Sequence, residues 1–152
     1  PVFLYEISAV LVIAITSALG ALWLCLPDVG GKHWVIAVPV ALSLNFLHWM
    51  LCKTYAQGLN IMAFHVDHCM YAGIELFFVP ALALTLITHR GATTHPYMLT
   101  LMNVMAACAV SYIGLRFTCM MDTVGHSFVY HILPLVLLGT LLGVLARKIF
   151  KW

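Results

Sequence analysis

Five long apolar runs dominate the chain, each near the roughly 20 residues that a helix needs to cross about 30 Å of hydrocarbon. They cover residues 2–26, 34–52, 61–88, 98–119 and 124–150. Pro27-Asp28 with Gly30-Gly31, then Lys53, the Gln57-Gly58-Leu59-Asn60 tract and Thr94-His95-Pro96, punctuate them. None of the runs alternates like a barrel strand, so helices are the expected spanning solution. The expected fold is all-α: a single integral membrane helical bundle over residues 1–152, with five transmembrane helices and short connections that make neighbours antiparallel. Composition agrees. With 64% hydrophobic and 8% charged residues, the chain lacks the polar surface of a water-soluble enzyme or a disordered segment. A net charge of +2 gives no footprint for nucleic acid. The chain opens on Pro1 rather than Met, and its first run lacks a basic flank and is too long for a signal-peptide core.

Orientation is read from Lys/Arg asymmetry. Five spans collect Lys32, Arg90, Arg147, Lys148 and Lys151 on the C-terminal side, against Lys53 and Arg116 on the other. The expectation is a multi-pass protein with its N-terminus outside and its C-terminus in the cytoplasm. Arg116 is expected to snorkel outward, toward Asp122.

Against this scarcity of charge, eight histidines stand out. His33, His89 and His95 fall in loops on the cytoplasmic side and read as solvated. The other five, His48, His65, His68, His126 and His131, fall at similar depth in the opposite leaflet, on the second, third and fifth helices. Asp67 and Asp122 accompany them. Ionisable groups inside a membrane are expensive and by default face a bundle interior or a wet cavity. Each His alone has an ordinary reading as a core residue bonded to a backbone carbonyl. Five converging with two carboxylates point to a metal, since neutral imidazole with a nearby carboxylate suits Zn²⁺ and other borderline cations. His65 and His68 share a helix face. His126 and His131 do not, because a spacing of five separates them by roughly 140° on a regular helix. They can meet on one ion if His126 precedes the regular helix or if a π-bulge lies between them. Pro134, three residues past His131, favours such irregularity.

Other polar residues carry less. Glu75 lies seven residues past His68 and reads as a proton relay or a hydrogen-bonded carboxyl. Ser43 and Asn45, beside His48, can orient a bound water or bond a neighbouring helix. Gly139 and Gly143 form a GxxxG packing signal. The five cysteines, Cys25, Cys52, Cys69, Cys108 and Cys119, have no paired spacing and read as small buried hydrophobes.

The segments Leu115-Arg116-Phe117, Asp122 and His126-Ser127-Phe128-Val129-Tyr130-His131 resemble the last two helices of myomaker-like proteins. Leu47-His48 through Gly58 to Phe64-His65-Val66-Asp67 similarly resembles their second-helix His and third-helix Asp. The chain is thus similar to the CREST superfamily of alkaline ceramidases, adiponectin receptors and their relatives. That resemblance implies a seven-helix bundle holding one zinc ion. Its ligands would be His48, His126 and His131, with Asp67 as the matching carboxylate.

Two functional classes follow. The first is a membrane zinc protein, hydrolysing a lipid amide or ester with Asp67 as general base and Ser43 nearby, or else a non-catalytic fusion or structural relative. The second is a haem b or quinone-associated accessory subunit of a membrane redox complex, with His48 and His68, or His68 and His131, as axial ligands. A carrier or proton path through His68 and Glu75 is a third reading. The expected partners are membrane lipid and either a second copy or the other subunits of a membrane complex, with no nucleic acid.

Overall fold

In the computed structural model, residues 2–26, 33–56, 68–91, 93–119 and 123–149 are described. The apolar runs become helices α1 (Val2–Leu24), α2 (Trp34–Ala56), α3 (His68–Thr88) and α4 (Pro96–Thr118). The fifth becomes one rod in three parts: α5 (Val124–His126), a π-helical segment (Ser127–Ile132) and α6 (Leu133–Ile149). All five are long and apolar enough to cross a membrane. No strand occurs among the described residues. Pro96 opens α4 at its first turn, where the N–H it lacks would have no partner anyway.

Helix α4 is the central post. It packs against α1, α3 and α6, while α2 leans on α1 and reaches the start of the fifth rod. The faces explain the order. Ala106, Ala107 and Ala109 let neighbours approach α4 closely, and Met102, Tyr112 and Leu115 fill the seams around them. Val10, Ile13 and Ala14 of α1 meet Phe46 and Met50 of α2 and Tyr112 of α4 in one apolar cluster. Ala21 and Leu24 meet Leu99 and Met102 in a second, toward the other end.

Polar side chains fasten these apolar helices to one another. Ser111 Oγ donates to the Gly73 carbonyl at 2.8 Å, tying α4 to α3. Asn103 Nδ2 donates to Thr88 Oγ1 at 2.8 Å near the opposite end. The GxxxG pair is split in use. A Cβ at Gly139 would lie 2.5 Å from Val104 Cγ1 of α4, whereas one at Gly143 would meet nothing within 4 Å. Val104 is β-branched and stiff, so the clash is not relieved by a rotamer change. Gly139→Ala should therefore cost about 1–3 kcal/mol and Gly143→Ala less than about 0.5 kcal/mol. Thermal unfolding of the two purified variants compares them, and equal melting temperatures would contradict this packing.

Candidate functional site

At the end of the bundle where α1 and α3 begin and α2 and α4 finish, four donor side chains converge. Cys69 is the second residue of α3, and with Gly73 and Phe77 it forms the i, i+4, i+8 stripe that faces α4. Cys119 caps the C-terminus of α4, its N–H bonded to the Leu115 carbonyl. His126 and His131 come from the fifth rod and are buried, His131 completely.

The π-helical segment makes the last pair possible. The N–H of Leu133 bonds to the carbonyl of Phe128, five residues back. Pro134 explains why the segment sits there: its ring would crowd the carbonyl four residues earlier, and it has no N–H to give. Widening the turn relieves both problems. As a result His126 and His131, five apart, come face to edge with ring centroids 5.2 Å apart.

Cys69 Sγ lies 3.3 Å from Cys119 Sγ, and Cys119 Sγ lies 3.4 Å from His126 Nε2. One ligand atom from each of the four residues falls within 4.8 Å of the others. Tetrahedral bonds of about 2.0–2.1 Å to nitrogen and 2.3 Å to sulfur put ligand atoms about 3.3–3.8 Å apart. Two of the separations, 3.3 and 3.4 Å, are already on that scale, and the donor types suit a borderline or soft cation. Together they would fill a tetrahedron, leaving no position for a reacting water.

Beside this group lies a buried ion pair. Arg116 Nε sits 2.9 Å from Glu6 Oε2, with both side chains almost wholly enclosed. Tyr112 Oη donates to the same Glu6 oxygen at 3.5 Å, and the Phe3 ring covers the guanidinium at 5.5 Å. The expected outward reach of Arg116 is thus corrected. The first helix supplies an acid at matching depth, so the guanidinium turns inward. Arg116 stands one turn before Cys119, and Tyr112 packs edge-on to His131 with ring centroids 6.2 Å apart. The pair and the four donors form one polar layer.

The structure gathers some of the sequence-derived candidates and not others. His126 and His131 meet. His48 does not join them: Phe46 and Met50 turn the opposite face of α2 to the core, leaving His48 exposed with Nε2 3.6 Å from Cys52 Sγ. His68 precedes the core-facing Cys69 and is exposed, as is Glu75. Ser43 lines an apolar cavity of about 770 Å³ between α1, α2, α4 and α6, away from the donors. His65, Asp67 and Asp122 lie outside the described residues. Cys69 and Cys119, read from sequence as packing residues, are the additions. Their signal was present but faint: Cys119 precedes His126 by seven residues, and Cys69 begins a stripe of small and aromatic core residues.

Comparison with known proteins supplies the family. The model of NrsF, negative regulator of sigma F, matches residues 1–152, and the chain belongs to that family. No curated protein matches the chain, and no solved structure does. The family match overturns the likeness to the CREST superfamily, which rested on short His-containing stretches. With it fall the zinc-dependent lipid hydrolase, the fusion or structural relative, and the haem- or quinone-associated redox subunit.

Proposed function

We propose that this NrsF-family chain is a multi-pass membrane protein that lowers the activity of a sigma factor, and that the Cys69, Cys119, His126 and His131 group is its sensing input. The family match over the full chain carries the first part. The convergence of four metal-type donors at one end of the bundle supports the second.

The arrangement suits transmembrane signalling. Arg90, Arg147 and Lys148 belong to the end opposite the four donors. By the positive-inside rule that end faces the cytoplasm, where a sigma factor would be met. The donors then face outward, in reach of ions or oxidants outside the cell. Helix α4 and the fifth rod connect the two ends, so a change in how Cys119, His126 and His131 are held is passed along rigid elements. A ligand that prefers one packing of these helices shifts the regulator's population by its differential affinity.

The test is transcription from a sigma F-dependent promoter. Deleting the chain should raise reporter output several-fold, and restoring it should lower output again. Output that ignores the deletion would refute the regulatory reading. Cys119→Ser should retain repression while altering its response to added metal or oxidant; an unaltered response would remove the group as the input.

A further inference from the structure

The bundle shows two outward polar seams at matching depth. On α2, Asn45, His48 and Cys52 follow one another at i, i+3 and i+7, and all three are exposed. On α3, His68, Tyr71 and Glu75 repeat the same spacing, and all are exposed too. At 1.5 Å per residue, His48 lies about 12 Å and Glu75 about 10 Å from the donor-side ends of their helices. Cys52 and Tyr71 lie about 6 Å and 4–5 Å from the same ends.

In a membrane-spanning bundle this placement is anomalous. Carboxylate and imidazole groups at such depth almost always face protein or a wet cavity rather than lipid. Glu75 has no hydrogen-bond or ion-pair partner among the described residues. Helices α2 and α3 make no contact with each other in one chain, so the two seams cannot satisfy each other within it.

We infer that the α3 seam of one copy docks on the α2 seam of a second copy, placing Glu75 against His48. The chemistry is complementary: an acid on one face meets a base on the other at nearly the same depth, with the Asn45 amide about one turn deeper. A second copy has the required depth match built in, because both chains sit in the membrane at the same height. Two α3 seams would instead bring acid to acid, and two α2 seams base to base. The contact joins different faces, so it is heterologous and propagates around a ring or along a row. It stands on the membrane placement alone and is independent of the sensing group.

Tyr71→Cys tests it, because native Cys52 would lie opposite at nearly the same depth. Mild oxidation of membranes containing the full chain should give disulfide-linked dimers and higher species from Tyr71→Cys. Adding Cys52→Ser should abolish them. Leu86→Cys, on the same seam but near the far end of α3, should give no Cys52-dependent product. In the Tyr71→Cys background, Glu75→Leu should lower the linked fraction at least fivefold. Links that persist in Cys52→Ser would place a different thiol opposite position 71 and overturn the pairing. Links to another protein would overturn the second copy as occupant. So would a single-chain mass for the wild type in mild detergent.

Discussion

Cys119→Ser should weaken Co²⁺ binding by the purified protein by about 10²–10³-fold. Co²⁺ is an apt probe because thiolate ligation gives it a charge-transfer band and tetrahedral geometry gives intense visible bands. A four-ligand structural zinc site is worth roughly 10–16 kcal/mol, so one ligand's share is about 2.5–4 kcal/mol. Cys119 is the ligand to remove first, since its sulfur lies within 3.4 Å of both Cys69 Sγ and His126 Nε2. His131→Ala should act similarly, because His131 is fully buried and faces the group. His48→Ala should leave the titration unchanged, as His48 lies exposed on the far face of α2. The opposite pattern, with His48 essential and Cys119 dispensable, would restore the sequence-derived ligand set and refute the one in the structure. A charge-transfer band roughly halved in Cys69→Ser and abolished when Cys119→Ser is added would show directly that both sulfurs bind.

The sequence made the five helices legible because apolar runs of spanning length leave a chain no other solution. The helices end where Pro, Gly and charge clusters end the runs; α2 alone runs on past Lys53 to Ala56, its charge at a helix end that needs no burial. Which face each helix turns inward was far less legible. Every residue on these helices is apolar enough to sit anywhere, so periodicity carries little contrast. That is why His48 reads from sequence as an inward residue: nothing local marks Phe46 and Met50 as its core-facing alternatives. The π-helical segment is the instructive exception. A five-residue His spacing followed by Pro134 lets the two rings meet only if His126 precedes the regular helix or a π-bulge intervenes, and the structure takes the second course. Cys69 and Cys119 read from sequence as small hydrophobes because they lie 50 residues apart and resemble no short metal motif. Only tertiary packing of α3 against α4 puts them 3.3 Å apart. Glu6 carries no local signal for a similar reason, since its partner Arg116 belongs to a helix three spans later.

That ion pair yields the prediction with the largest effect on stability. Arg116→Ala should destabilise the protein by about 3–5 kcal/mol, because it removes the cation paired with the buried Glu6 carboxylate. Its side chain and that of Glu6 are 5% and 2% exposed, so water cannot repair the loss. For a chain of this size the cost corresponds to a fall of roughly 6–20 °C in melting temperature. Removing both charges, in Glu6→Leu with Arg116→Leu, should recover most of it, since apolar groups of similar volume often replace a buried pair without penalty. The comparison separates two roles. If the pair only stabilises, the double variant should bind Co²⁺ like the wild type. If it also positions the donor group, the double variant should melt normally yet bind Co²⁺ more weakly. The second outcome is the expected one. Arg116 fixes the last turn of α4 against α1, and Cys119 is the next residue to leave that turn on the same side. Tyr112, held by Glu6, packs against His131 from the other direction. With both constraints gone the helices still pack, but Cys119 and His131 lose their fixed separation. Equal melting temperatures for Arg116→Ala and the double variant would show that no charge is stranded, and the argument from burial would fail.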